Sequence, residues 1–167
     1  VRCPMLVGIA LLDLNYHQWA TLRHIEPTYS FDLLALLSVP IPLGQQILIF
    51  WLLFFGFAFK APVFPFHTWL PDALLEGPIG MAVVLAGLKL GTFGFIRFSI
   101  PLLPEASKSQ TVVTVLMALG LAAILYGAIM ALIQQDFRRL LAFSSISHLG
   151  FVVIGLFALN YQGLQGS

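Results

Sequence analysis

The sequence predicts an all-helical integral membrane protein. Of its 167 residues, 59% are hydrophobic and only 9% are charged, and the mean hydropathy is +0.96. Soluble domains carry charge on roughly a quarter of their residues. Four apolar runs approach or exceed the length of about 20 residues that a helix needs to cross a bilayer. Inside lipid the backbone must satisfy its own hydrogen bonds, so we expect these runs to be helices.

The composition also excludes several kinds of function. The chain has eight Lys+Arg and seven Asp+Glu residues, so its net charge is close to zero and indicates no nucleic-acid or other polyanionic partner. The single cysteine, Cys3, cannot form an internal disulfide or a Cys-x-x-Cys metal site. No glycine-rich dinucleotide motif or P-loop is present. We therefore expect no cofactor and no metal in this chain, and lipid as its surroundings.

The predicted spans form one transmembrane helical region over residues 1–167. They cover about residues 43–65, 79–98, 110–134 and 140–160. A shorter apolar run over residues 4–14 is interpreted as the tail of a further helix, and residues 31–37 as a short amphipathic helix at the interface. Residues 161–167 are expected to form a loop. Since the chain starts with Val1, we interpret it as an internal piece of a longer protein.

The orientation follows from one short loop. Arg138 and Arg139 lie between the third and fourth spans, and basic loops of this kind stay on the cytoplasmic side. Alternation of the spans then places residues 67–78 inside and the turn over residues 101–109 outside.

Lys89 is a charged residue near the middle of the second span. Such a charge costs about 2.5–3.5 kcal/mol on insertion scales, and it usually faces the protein interior or a water-filled path. Gly87 and Gly91 flank it in a GxxxG pattern, which lets helices approach closely. We interpret Lys89 as a functional residue, and the alternative is a structural ion pair.

Lys60 lies close to a predicted break in the first span. Pro62 and Pro65 follow it, and prolines remove backbone donors and clash with the preceding turn. Broken helices near mid-membrane form ion sites in transporters. The alternative is a lysine at a helix end that snorkels to the headgroups.

Two histidines complete the candidate set. His148 has three serines nearby, Ser144, Ser145 and Ser147, and histidine titrates near pH 6.5. This group is a candidate proton relay. The alternative is that these side chains form hydrogen bonds that hold neighbouring helices together. His67 follows the proline break as a supporting candidate, with an ordinary interfacial histidine as the alternative.

Three stretches carry a specific pattern, namely residues 59–73 (FKAPVFPFHTWLPDA), 85–98 (ending KLGTFGFIRF) and 136–150 (DFRRLLAFSSISHLG). Together they resemble the antiporter-like membrane subunits of respiratory complex I, closest to the chain 4 family of NAD(P)H–quinone oxidoreductase. The resemblance covers residues 44–167 well and the first part loosely. Residues 74–80 (LLEGPIG) resemble the cyanobacterial variant found in CO2-uptake complexes.

The resemblance implies a fourteen-helix proton-translocating subunit with two inverted five-helix repeats. This chain would hold the end of helix 6 and helices 7 to 10, with helix 7 broken at Pro62 and Pro65. It implies that Lys60 is the lysine at that break and Lys89 the central relay lysine of helix 8. It also implies that His148 passes protons toward the second half-channel.

The resemblance also implies the wider assembly. NAD(P)H or ferredoxin, iron–sulfur clusters and quinone would be bound by partner subunits, and other membrane subunits would surround this one. The membrane would be a bacterial inner membrane or a cyanobacterial thylakoid membrane with plastoquinone. Two alternatives stay open: a subunit of a multisubunit cation/proton antiporter or membrane-bound hydrogenase, and a purely structural membrane scaffold.

The sequence departs from the family pattern between the two lysines. Leu74 and Leu75 stand where the family usually has His-Thr, and the interval from Glu76 to Lys89 is about two residues shorter than usual. Two residues turn a helix by about 200°, so the direction in which Lys89 points depends on where its helix starts.

Overall fold

A computed structural model describes residues 2–22, 36–37, 39–78, 80 and 90–167. All regular secondary structure within these ranges is helical. Three of the described helices are long and apolar enough to cross a membrane by length and composition, namely Leu43–Lys60, Gln110–Ile133 and Phe137–Phe157. The all-helical fold class is therefore confirmed.

The helices are numbered here in chain order. They are α1 (Arg2–Leu22), α2 (Leu43–Lys60), α3 (Trp69–Glu76), α4 (Leu90–Leu102), α5 (Pro104–Lys108), α6 (Gln110–Ile133), α7 (Phe137–Phe157) and α8 (Tyr161–Gly166). Helix α4 contains one π-helical turn, Phe95–Ser99. Helix α2 begins where the first predicted span begins and ends at Lys60, just before the two prolines.

Several bounds differ from those predicted. Helix α1 continues past the apolar run to Leu22, because hydropathy reports transfer into lipid rather than the length of a helix. Helix α5 lies within the predicted turn over residues 101–109, and α8 lies where a loop was expected. Most of the predicted interface helix over residues 31–37, and residues 79 and 81–89 of the second span, lie outside the described residues.

The chain divides into two compact units. The first comprises residues 1–56 and 95–107. Within it α1 packs closely on α2, since a Cβ atom at Gly56 would lie 2.8 Å from the Cβ atom of Met5. The buried Gln46 side chain donates to the Ile41 carbonyl at 2.9 Å and accepts from the Ala106 amide at 3.2 Å. These bonds connect the start of α2 to α5.

The second unit comprises residues 57–94 and 108–167. The short connection after α6 makes α6 and α7 antiparallel neighbours, and glycines allow their backbones to touch. A Cβ atom at Gly150 would lie 2.6 Å from the Gly120 carbonyl oxygen, and one at Gly127 would lie 2.7 Å from the Ser147 amide nitrogen. A buried apolar cluster joins α3 to α7, and it consists of Leu70, Leu74, Ala142, Phe143 and Ile146.

Candidate functional site

The prolines interrupt the hydrogen-bond ladder at the end of α2. Ala61 still donates to the Phe57 carbonyl at 2.7 Å in the helical pattern. Pro62 has no N–H, and the Ala58 carbonyl instead accepts from Val63 at 3.0 Å, one residue beyond the usual donor. This shift takes Val63 away from Phe59, whose carbonyl would otherwise accept from it.

A tryptophan side chain donates to the carbonyl that the break leaves without a backbone donor. The indole Nε1 of Trp69 donates to the Phe59 carbonyl oxygen at 2.9 Å. Trp69 is the first residue of α3, so the helix after the break supplies the donor that the helix before it lacks. The bond fixes the peptide group immediately before Lys60.

Lys60 is the last residue of α2, and its side chain is exposed. Within the part of the chain that the structure describes, it forms no ion pair. The residue after it, Ala61, is buried against α4, because a Cβ atom at Gly91 would lie 2.5 Å from that of Ala61. Lys89, two positions before Gly91 in the chain, lies outside the described residues.

His148 lies exposed on α7. Ser144 and Ser145 precede it by four and three positions, so they share its face of the helix. Ser147 points elsewhere: its hydroxyl donates to the Ile124 carbonyl on α6 at 3.2 Å. The three predicted serines are therefore divided between two faces, and Ser147 joins two helices.

His67 is buried, with 4% of its surface exposed. Its ring contacts those of Tyr126 and Phe64, at centroid distances of 4.9 and 5.5 Å. Burial lowers the pKa of His67, and the nearby Pro65 backbone opposes this effect. The buried Nδ1 atom has no hydrogen-bond partner among the described residues.

A cavity of about 210 Å³ lies beside His67. Its lining includes Asp72 on α3, Tyr126 on α6, Gln134 directly after the end of α6, and Arg139 on α7. Polar groups from three helices thus surround a volume large enough for several water molecules, each of which takes about 30 Å³ in the liquid. The described residues contain no cluster of three or more His, Cys, Asp or Glu side chains able to hold a metal ion.

Arg138 bonds the C-terminal end of α3, opposite the end that carries Trp69. Its Nη1 atom donates to the carbonyl oxygens of Leu75 at 3.1 Å and Gly77 at 3.3 Å. The last carbonyls of a helix lack helical donors and carry partial negative charge, so a cation there is favourable. Arg139, the next residue, is exposed and lines the cavity.

The chain matches the family described as NADH:quinone oxidoreductase/Mrp antiporter, TM, over residues 2–167. It belongs to this family. The curated relatives are named as NADH–quinone oxidoreductase subunits, in agreement with the sequence resemblance. NADH-quinone oxidoreductase subunit M of Rickettsia typhi is 43% identical over 143 residues, which are 83% of this chain and 28% of that protein. NADH-ubiquinone oxidoreductase chain 4 of Chondrus crispus is 42% identical over 98% of this chain and 31% of that protein.

A solved structure agrees with the fold of this antiporter-like chain. A chain of respiratory complex I from Thermus thermophilus, solved with bound NADH, superposes with a TM-score of 0.76 and 34% identity. The match covers 93% of this chain and 31% of that one. The chain thus spans less than a third of the length of these relatives.

Sequence reasoning located the break but missed the side chains that hold it. Trp69 was visible only as an aromatic residue near His67, and Arg138 only as a topology signal. The sequence does predict an unpaired carbonyl, because Pro62 lacks the N–H that Ala58 would otherwise accept. Val63 donates to Ala58 instead, so the carbonyl that needs Trp69 is that of Phe59, one residue further along. No local pattern indicates the partner of Arg138, since its bonds join residues 61 and 63 positions apart.

Proposed function

We propose that the chain is part of a proton-translocating membrane subunit of an NAD(P)H (or ferredoxin):quinone oxidoreductase, with Lys60, Lys89 and His148 as the proton-carrying groups. The observation that carries the proposal is the end of α2. Lys60 terminates a membrane-length helix at a proline break, and the chain belongs to a family named for oxidoreductase and antiporter subunits. The names of the relatives, subunit M and chain 4, favour the oxidoreductase.

Lysine suits this role because its charge responds to its surroundings. Burial can lower the pKa of a lysine from about 10.4 to about 5–6, and a nearby opposite charge can restore it. In the complete protein, segments beyond this chain would surround the Lys60 ammonium. A charge that moves beside it would then make Lys60 take up or release a proton.

The remaining candidates extend the path. Lys89 would accept the proton in the next helix, and His148 would pass it onward, since histidine titrates near neutral pH. Ser144 and Ser145 lie on the face of His148 and could order water there. His67 and its cavity would supply hydrated space beside the break, while Ser147 supports the packing of α6 against α7.

The chemistry outside this chain is part of the same proposal. NAD(P)H or ferredoxin oxidation, iron–sulfur clusters and quinone reduction would belong to partner subunits, and the energy would reach this one as a change of conformation or field. The similarity to respiratory complex I from Thermus thermophilus favours a respiratory membrane. The cyanobacterial thylakoid variant, with plastoquinone, rests on residues 74–80 alone.

The proposal is tested in the full-length protein, assembled in its complex and reconstituted into vesicles. We expect Lys60→Ala to abolish proton translocation, measured with a pH-sensitive dye, while NADH oxidation by the peripheral subunits with an artificial acceptor stays normal. Lys60→Arg should restore little, because arginine scarcely releases its proton. Lys108→Ala, at an exposed lysine on α5, is the matched control and should pump normally.

Two further variants divide the alternatives. Lys89→Ala should abolish translocation as well, and His148→Ala should slow pumping more than it lowers the amount of assembled complex. Normal pumping by assembled Lys60→Ala would overturn the proposal. A scaffold predicts equal loss of assembly and pumping in all three variants.

The antiporter alternative has a specific observation in its favour, since the family description includes Mrp antiporters. It predicts proton movement in exchange for Na⁺ in vesicles that receive no NADH. Pumping that requires NADH and does not depend on Na⁺ would exclude it.

A further inference from the structure

We propose that Arg138 is a positioning residue for proton translocation, because it ties α3 to α7 and through α3 holds Trp69 against the end of α2. The inference rests on the proposed function for its physiological meaning. The bonds themselves stand on geometry alone.

Arg138 bonds the C-terminal end of α3. This helix has only eight residues, too few to be stable in isolation. Gly77 closes its last turn by donating to Ala73 at 3.1 Å, and the carbonyls of Leu75 and Gly77 have no donor of their own in the helix. The Arg138 guanidinium donates to both from one nitrogen atom. A charge-assisted bond at a helix C-terminus is among the stronger side-chain contacts to a backbone.

Trp69 bonds the other end of the same helix to α2. Trp69 starts α3 and donates to the Phe59 carbonyl, the peptide group that precedes Lys60. An eight-residue helix is about 12 Å long. Two side-chain bonds at its two ends therefore connect the first turn of α7 with the last turn of α2, across that distance.

The contacts between α3 and α7 are of two kinds, apolar packing and the Arg138 hydrogen bonds. The apolar cluster of Leu70, Leu74, Ala142, Phe143 and Ile146 also holds α3 on α7. Apolar contact is non-directional, whereas hydrogen bonds to two carbonyls set the axial position and rotation of a helix. Loss of the Arg138 bonds should therefore leave α3 attached and allow it to shift, which would weaken the Trp69 bond next to Lys60.

The test uses the full-length protein in its assembled complex. In Arg138→Gln, hydrogen exchange at the amides of α3 should become faster, and pumping per NADH oxidised should fall by up to about tenfold, the size expected for one charge-assisted bond. Arg138→Lys keeps a cationic donor and should restore much of both. Arg139→Gln removes the same charge from the same turn and should leave the exchange of α3 unchanged.

A double variant tests whether Arg138 acts through Trp69. If it does, Trp69→Phe combined with Arg138→Gln should pump no worse than the weaker single variant. Independent contributions would instead multiply. Should Arg138→Gln fail to assemble, Arg138→Met keeps a long side chain without a donor and allows the same comparison with Trp69→Phe.

Three outcomes overturn the inference: unchanged exchange in α3 with normal pumping in Arg138→Gln, multiplicative effects in the double variant, and no recovery in Arg138→Lys. Failure of the proposed function gives a different result. If Lys60→Ala pumps normally, faster exchange of α3 in Arg138→Gln would still show that Arg138 positions α3. That positioning would then serve another activity.

Discussion

The hydrogen bond between the Trp69 indole and the Phe59 carbonyl can be tested by removing the indole N–H donor. Trp69→Phe deletes the Nε1–H donor and keeps an aromatic ring against the α3–α7 cluster. The Phe59 carbonyl then loses its donor at a partly buried helix end, where Pro62 prevents the ladder from repairing itself. Leaving such a group unsatisfied costs about 1–3 kcal/mol.

This cost should appear as local opening of the last turn of α2. The amides of Ala61 and Val63 close that turn, at 2.7 and 3.0 Å from their acceptors. A change of about 1–3 kcal/mol corresponds to exchange that is about 5- to 150-fold faster. Hydrogen exchange with mass spectrometry on the assembled complex measures it in the peptide that covers residues 57–63.

Trp51 provides the matched control within the same helix. Its ring contacts those of Phe54 and Phe50 at 5.4 and 6.0 Å, and its N–H donates to no group in the described ranges. Trp51→Phe should therefore leave the exchange of residues 57–63 unchanged. Equal exchange in both variants, or an unchanged Trp69→Phe, would refute the role given to the indole bond.

Two further predictions concern packing and pH. Gly150→Ala should weaken the contact of α6 with α7 by about 1–3 kcal/mol, because the added Cβ would meet the Gly120 carbonyl oxygen at 2.6 Å. The melting temperature of the detergent-solubilised complex should therefore fall. Gly44→Ala is the control and should leave the melting temperature unchanged, because its added Cβ would have no atom within 4 Å. His67 has a pKa lowered from 6.5, so its neutral form stabilises the fold above pH 6.5 and this contribution is lost as pH falls through 6.5 toward the folded pKa. Exchange at the Leu70 amide, which donates to the His67 carbonyl, should accelerate below pH 6.5 after correction for intrinsic rates, and His67→Phe should remove that dependence; acceleration that persists in His67→Phe would contradict the assignment.

The proline break illustrates what a sequence can predict. Pro62 and Pro65 act on their own backbone and on the turn before them, so their effect is local and readable. The end of α2 at Lys60 follows from that local effect. The glycines on α6 and α7 are less informative than the prolines. Their presence permits close packing, but only the structure identifies Gly120 and Gly150 as a contacting pair.

The contacts that position the break could not be predicted in the same way. The Trp69 bond crosses a non-helical segment, and the Arg138 bonds join segments more than 60 residues apart. Such pairings depend on how α3 packs on α7, which hydropathy does not encode. The identity of these side chains was in the sequence, but their acceptors are backbone atoms, which no residue type marks.

A cryo-EM map of the full-length protein in its complex, at a resolution that shows ordered water, would test whether Lys60 lies on a hydrated proton path. We expect water molecules within hydrogen-bond distance of the Lys60 ammonium at the break, continuing toward Lys89 and His148. A dry Lys60 held in a static ion pair, with no water between these three side chains, would contradict it.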